Sequence, residues 1–205
     1  MKKQFLGLMM GCCLSFSLAG QTDAPERYRN FPIVVTLQFH SLSLPFRDLK
    51  SNFSNIGLGL GTEVSLNGRH NWAQQFNVVW YRNKAVGNGW FFYTQSAWRP
   101  TIESGVFTEL KIGAGYLLAS RPVESYKQVD GSWVSVGRRG KGMFALPAGF
   151  SVGYHDFSPA TYVSPFASYQ LLVVKDYNKS IPLVPETLIQ LGARINWKRP
   201  GSSPK

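Results

Sequence analysis

Residues 56–66 read Ile-Gly-Leu-Gly-Leu-Gly-Thr-Glu-Val-Ser-Leu. Large apolar side chains occupy every second position except Thr62, with Gly, Glu and Ser between them. A strand sends successive side chains to opposite faces, so this segment has one apolar face and one that is small or charged. A soluble barrel or sandwich turns such apolar faces inward. Here the alternation recurs strand after strand, and the opposite face carries both charge signs. That pattern predicts a barrel turned inside out, with lipid outside and a polar interior.

Eight strands are predicted, at about 32–41, 55–66, 71–82, 89–99, 106–119, 142–154, 161–174 and 186–197, and almost nothing reads as helix. The fold class is all-β: an eight-stranded antiparallel transmembrane up-and-down β-barrel. Connections 67–70, 100–105 and 155–160 are short, whereas 42–54, 120–141 and 175–185 are longer. Only 83–88 breaks the trend. Short turns at one end and long loops at the other suit a barrel with periplasmic turns and extracellular loops. An even strand number then places both termini on the periplasmic side.

The expected lipid face includes Trp72, Phe76, Val78 and Trp80, with Gln74 as an exception, then Trp90, Phe92 and Trp98. It continues through Leu110, Ile112, Ala114, Tyr116 and Leu118, through Phe144, Leu146, Phe150, Val152 and Tyr154, and ends with Ile189, Leu191, Ala193, Ile195 and Trp197. Trp72 and Trp80 are eight residues apart, as are Trp90 and Trp98. Eight residues span roughly 26 Å along a strand, or about 19 Å of depth at a 45° tilt, against an apolar band of about 25 Å flanked by aromatic girdles. Pro147 and Pro165 fall inside predicted strands, where each removes a ladder donor; bulges are the expected accommodation.

The 205 residues suffice for one domain. Residues 1–19 read as a secretory signal, with Lys2 and Lys3, an apolar stretch from Phe5 to Leu18, and small residues at Ser17 and Ala19. A lipoprotein reading would instead lipidate Cys12 within Met9-Met10-Gly11-Cys12. Both cysteines, Cys12 and Cys13, lie in this segment, so a mature chain would hold no disulfide or cysteine–metal site. The expected organisation is a signal over 1–19, a periplasmic segment over 20–31, the barrel over 32–197 and a basic tail over 198–205. Formal charge is +11. A secreted chain without a nucleic-acid module points away from nucleic acid and toward anionic headgroups or lipopolysaccharide phosphates.

The last strand, Gln190-Leu191-Gly192-Ala193-Arg194-Ile195-Asn196-Trp197, resembles the C-terminal signal through which outer-membrane barrels meet their assembly machinery. Gln190, Gly192, Ile195 and Trp197 occupy its polar, glycine, hydrophobic and aromatic positions. The resemblance implies a small eight-stranded, porin-like barrel in the cell envelope of a Gram-negative bacterium. Ile195 stands where an aromatic is commoner, and the tail Lys198–Lys205 follows the terminal Trp.

The interior of an eight-stranded barrel is just wide enough for side chains to fill. Glu63, Arg99, Glu109, Lys111, Arg194 and His40 are expected to face it as a charge network, with ion pairs and hydrogen bonds compensating their burial. Inward glycines (Gly57, Gly59, Gly61, Gly113, Gly115, Gly153) would make room for Tyr93, Phe107 and the long basic chains. A solid plug is the expected outcome, and a charged gate over a narrow pore the alternative. The loop 120–141 carries Arg121, Lys127, Arg138, Arg139 and Lys141 among Tyr126 and Trp133, a candidate surface for lipopolysaccharide phosphates or an anionic protein partner of unknown identity.

Two other functions compete. A lipid A deacylase-like barrel enzyme would use His40 with Ser41 or Ser43, or His155 with Asp156 and Ser158, yet neither site shows the His-x-Ser-Asn run of those families. A soluble secreted barrel that binds a ligand is the other alternative. The Gly57-x-Gly59-x-Gly61 run is not followed by a helix, as a dinucleotide loop requires. His40, His70 and His155 have no metal-ligand spacing. No cofactor, metal or catalytic residue is expected.

Overall fold

The computed structural model describes residues 31–44, 46–47, 53–67, 71–84, 87–100, 105–120, 124–137, 140–155, 161–177 and 182–197. The expected signal segment, the basic tail and nearly all of the N-terminal segment lie outside the described residues. Ten strands follow one another: β1 (Ile33–Ser41), β2 (Ile56–Ser65), β3 (Trp72–Asn83), β4 (Gly87–Trp98), β5 (Val106–Ala119), β6 (Ser125–Val129), β7 (Ser132–Gly137), β8 (Lys141–Tyr154), β9 (Thr161–Lys175) and β10 (Leu183–Trp197). Eight of them close into an antiparallel barrel in chain order, β10 pairing with β1, while β6 and β7 form a separate two-stranded sheet.

The register fixes how far the strands lean. From Val34 it passes through Gly61, Asn77, Tyr93, Gly115, Ala145, Val174 and Val184, and returns to the level of Leu44. A stagger of that size around eight strands corresponds to a tilt of about 40°.

The facing follows the period-2 pattern. Leu58, Leu60, Phe76, Phe92, Leu110, Ile112, Tyr116, Phe144, Phe150 and Leu191 are exposed on the outer wall, whereas Gln38, Gln95, Gln170, Glu63, Glu109 and Arg194 are buried within. Trp72 pairs directly with Trp98, and Trp80 with Trp90. The four tryptophans therefore mark two levels of the wall, as an aromatic girdle at each membrane interface requires.

Polar residues on that wall satisfy one another. The Gln74 amide donates to Thr94 Oγ1 at 2.5 Å, Ser96 Oγ donates to Gln74 Oε1 at 2.8 Å, and Thr94 Oγ1 donates to the Gln75 carbonyl at 2.9 Å. Such closure matters where no water is at hand. Phe46 and Phe53 cover part of the wall at the long-loop end. Phe46 stacks on Tyr169 with ring centroids 4.5 Å apart, and Phe53 meets Phe39 at 5.1 Å. Thr187, outward by parity, is buried, with Ser43 Oγ 3.4 Å from its hydroxyl.

Neither proline makes a bulge. Pro147 pairs in register with Leu172, and the β5–β8 ladder skips the positions opposite it, resuming in the same register on either side. Pro165 keeps its pairing with Ala193 and stands one residue beyond the end of the β8–β9 ladder. Each missing N–H thus falls where a ladder is already interrupted or finished. Pro185 likewise lies past the last β1–β10 pair, Ser41 with Thr187, so β10 runs three residues further than expected.

Candidate functional site: a filled lumen and a projecting hairpin

The short-turn half of the lumen holds a compact charge box. Arg99 follows β4, Glu63 and Glu109 come from β2 and β5, and Arg194 comes from β10. Arg99 donates to Glu63 Oε2 through Nη2 and to Glu109 Oε1 through Nε, both at 2.6 Å. Arg194 donates to the same two oxygens, through Nε at 3.0 Å and Nη2 at 2.7 Å. Each carboxylate oxygen is thus shared by two guanidiniums, and Gln75 adds a bond to Glu63 Oε2 at 3.1 Å. Lys111 Nζ stands 3.8 Å from Glu109 Oε2 and donates to Ser168 Oγ at 2.9 Å. All five charged side chains are buried.

Aromatic faces complete the box. Arg99 and Arg194 lie 5.4 and 5.2 Å from the Phe107 ring centroid, and Arg194 lies 4.4 Å from that of Phe166. Room for these rings comes from inward glycines: a Cβ at Gly153 would strike the Phe107 ring, and one at Gly115 would strike Tyr93 and Phe91. His155, at the turn after β8, stacks on Phe107 at 4.3 Å and shares a hydrogen bond between Nδ1 and Ser164 Oγ at 2.9 Å. Burial, with Arg99 and Arg194 nearby, pulls its pKa down to about 4, so it is neutral at ordinary pH.

His40 faces the lumen as expected but stands apart from this box. It lies at the other end of β1, and its partners are those of the long-loop half. Asn83 Nδ2 lies 2.9 Å from His40 Nδ1, which makes that nitrogen the acceptor and leaves Nε2–H to donate to Glu186 Oε2 at 3.0 Å. Tyr81 stacks on the imidazole at 4.0 Å and donates to the same Glu186 oxygen at 3.1 Å. The sequence pattern gave the inward facing of His40 but not its height on the strand; Glu186 was not among the expected interior residues, although it shares the inward parity of Gln190 and Arg194 on β10.

Between the two polar clusters lies a mixed layer. Gln170 donates to Gln190 Oε1 at 2.8 Å, and Gln190 donates to the Tyr93 hydroxyl at 3.2 Å. Val79, Phe91, Leu117, Leu172 and Leu188 pack beside Tyr93. An interior cavity here measures about 10 Å³, room for about one water molecule. The described lumen is filled by side chains.

The long connection between β5 and β8 is not irregular: β6 and β7 form a hairpin within it. Asp130 and Gly131 at its tip have φ of 49° and 80°. An Asp-Gly pair with both residues in the left-handed region is the favoured two-residue hairpin turn, and that dipeptide was the overlooked sequence signal. Register places Tyr126, Gln128, Trp133 and Ser135 on one face and Lys127, Val129, Ser132 and Val134 on the other. Trp133 is 69% exposed and Tyr126 58%.

Of the loop cations expected to form one patch, Lys127 and Lys141 lie among the described residues. Lys127 is exposed on the hairpin. Lys141 Nζ is engaged at the barrel rim, donating to the carbonyls of Asp176 and Tyr177. Arg121, Arg138 and Arg139 lie outside the described residues, as do His70, Asp156 and Ser158. Of the last-strand motif, Gln190 is buried in the lumen, Gly192 sits where a Cβ would strike Thr36 and Phe166, and Ile195 is half-buried on the outer wall. The backbone of Trp197 pairs with Thr161.

No protein family's pattern matches this chain, and no curated protein matches it by sequence. Solved structures do. Neisserial surface protein A matches with a TM-score of 0.54 at 12% identity, over 82% of this chain and 97% of that one. Ail, the attachment invasion locus protein of Yersinia pestis, gives a TM-score of 0.46 at 18% identity, over 81% and 97%. The N-terminal β-barrel domain of Pseudomonas aeruginosa OprF gives 0.40 at 10% identity, over 80% and 98%. At 12% identity the likeness to Neisserial surface protein A is one of fold, and it agrees with the closed eight-stranded topology seen here.

Proposed function

From an eight-stranded transmembrane barrel of the outer-membrane kind, we propose that the chain is a non-catalytic surface-interaction protein acting through the β6–β7 hairpin and its basic flanks. The observation that carries this reading is the pair of exposed aromatics, Tyr126 and Trp133, on one face of a hairpin that pairs only with itself. Binding residues tend to sit on loops held by a rigid scaffold. Large aromatics left in water above a barrel rim are suited to contact rather than to packing. Arg121, Arg138 and Arg139 adjoin the hairpin in sequence, and Lys127 lies on its opposite face. Guanidiniums suit phosphate bidentately, so the ligand class is the phosphorylated headgroup of lipopolysaccharide or a comparable anionic partner.

The same reading includes export through residues 1–19 as a cleaved signal. Recognition by the outer-membrane assembly machinery would run through Gln190, Gly192, Ile195 and Trp197. Residues 20–31 and 198–205 would then lie on the periplasmic side. The filled lumen favours a structural plug over a conducting pore. A deacylase role gains no support from His40, whose two ring nitrogens are committed to Asn83 and Glu186. Lipid A recovered with and without the protein should have unchanged masses; a lost acyl chain would establish the enzyme instead.

The binding test compares vesicles containing bis-phosphorylated lipid A with vesicles containing its dephosphorylated form. Wild-type barrel should prefer the phosphorylated surface, and an R138A/R139A double variant should lose most of that preference. Equal binding to both vesicles, or full binding by the double variant, would reject the anion-binding role of this loop.

A further inference from the structure

On the lipid-facing side of β3, Gln74 is the polar residue between the two tryptophan levels, and its own chain satisfies it only in part. A side-chain amide nitrogen carries two N–H groups. One donates to Thr94 Oγ1, and the other has no acceptor among the described residues. The hydroxyl hydrogens of Thr94 and Ser96 are already directed to the Gln75 carbonyl and to Gln74 Oε1. On β2, Thr62 pairs with Phe76 and so stands diagonal to Gln74 on the same outer face. Its hydroxyl also has no partner among the described residues. A donor left without an acceptor in hydrocarbon is costly, so these two neighbouring donors fit an acceptor from outside the chain.

Their depth narrows its chemistry. Gln74 is two residues from Trp72 on one strand, roughly 7 Å along it and about 5 Å in depth at a 40° tilt. Girdle tryptophans sit at the level of the lipid headgroups, and each interfacial layer is about 5–7 Å thick. Gln74 therefore lies where acyl chains join the glycerol, the level of their ester carbonyls.

From this corner a groove of about 860 Å³ crosses the outer wall. It follows the paired row Gly61, Asn77, Tyr93 and Gly115 from β2 to β5 and reaches Phe144 on β8. Leu60, Phe92, Tyr116 and Phe144 form its upper rim; Thr62, Thr94 and Ala114, interrupted by Phe76, form a lower one. The same row climbs from Val34 to the level of Leu44 in one circuit, away from the short-turn end. Four strand spacings carry the groove roughly 19 Å across the strands and about 12 Å in depth. Half of a hydrocarbon core is about 15 Å. The groove thus starts at the ester level and rises toward the midplane, which is the course of an acyl chain.

We propose that this corner and groove bind one diacyl glycerophospholipid of the leaflet at the short-turn end. An ester carbonyl accepts from the second Gln74 N–H and from the Thr62 hydroxyl. The chain it bears lies along the groove against Phe92, Tyr116 and Phe144. A second copy of the barrel fits poorly, because a two-fold interface brings the same patch of both chains together, and two concave faces enclose a void. The site is independent of the hairpin and of any partner the hairpin meets.

The full barrel, refolded in detergent, is titrated with dioleoyl phosphatidylethanolamine and with its dialkyl ether analogue, and bound lipid is counted by native mass spectrometry. The ether keeps the headgroup and chains but has no carbonyl. One diester molecule should bind about tenfold more tightly than the ether, the effect of one or two net hydrogen bonds. A T62V/Q74L double variant should bind the two lipids equally, and A114F, which builds into the groove, should weaken both about tenfold. A diester lipid with a diazirine at one chain end should label β8 around Phe144 in the wild-type barrel, a readout that does not depend on any variant folding. Equal wild-type affinity for the two lipids, a diester preference kept by T62V/Q74L, or full binding by A114F would each overturn the proposal. So would labelling spread evenly around the wall, or dimers that exclude the lipid.

Discussion

Replacing Glu109 by Gln tests the charge box most severely, because it keeps the shape and removes one of two anions. Glu109 Oε1 accepts from Arg99 at 2.6 Å and from Arg194 at 2.7 Å. A hydrogen bond to a charged group contributes about 1.5–3 kcal/mol net, and a Gln carbonyl can keep part of one such bond. The larger effect is electrostatic: among the described residues Arg99, Arg194 and Lys111 would then have Glu63 as their one carboxylate partner. Breaking a buried pair by removing one partner costs about 3–5 kcal/mol, and the expected loss for E109Q lies in that range. Urea titration of the barrel in lipid vesicles, followed by the SDS-resistant gel band, reads it directly. The midpoint should fall while the slope stays unchanged, since the same surface is exposed on unfolding. A loss below about 0.5 kcal/mol would place these charges in a hydrated lumen, where such pairs contribute little, and would refute the dry-plug account.

Three further outcomes follow from the geometry. A Cβ at Gly113 would meet the backbone of Thr94 and Gln95 on the adjacent strand, so G113A should destabilise by about 1–3 kcal/mol; a neutral G113A in the same urea assay would contradict that contact. Replacing residues 124–137 by a short Gly-Ser linker should leave the barrel folded within about 1 kcal/mol, because β5–β8 pairing already reaches Ala119 with Lys141; loss of the SDS-resistant form would show the hairpin to be part of the scaffold. His155 is held at a pKa of about 4 against an ordinary 6.5. The unfolded chain therefore binds a proton that the folded one refuses, and stability falls as pH drops from 6.5 to about 4. H155Q should be less pH-dependent over that window, and an NMR titration midpoint for His155 near 6.5 would exclude the effect.

The strands and their facing were legible because a period of two, sustained over about ten residues, has few other readings, and Pro147 and Pro165 did not break it. What one strand cannot reveal is height and cross-strand register. That is why Arg99 and Arg194 could be assigned to the interior while their sharing of the same two carboxylate oxygens could not be foreseen. It is also why the sequence could not separate His40 from the charged residues at the opposite end of the lumen. Gln74 looked anomalous on a lipid face because its partners, Thr94 and Ser96, come from the neighbouring strand. The hairpin was legible only through Asp130-Gly131, whose left-handed backbone makes the turn, and not through the loop's charge, which carries no period.

The central claim is an inside-out barrel, lipid-facing on its apolar wall and closed by its polar filling. Membranes from cells expressing the chain should be extracted with detergent and run boiled and unboiled on one SDS gel. The account predicts recovery in the outer-membrane fraction and a band that shifts only on heating, since the closed hydrogen-bonded wall must be melted before the chain takes up detergent along its length. A protein recovered in the soluble fraction, with no shift on boiling, would contradict it.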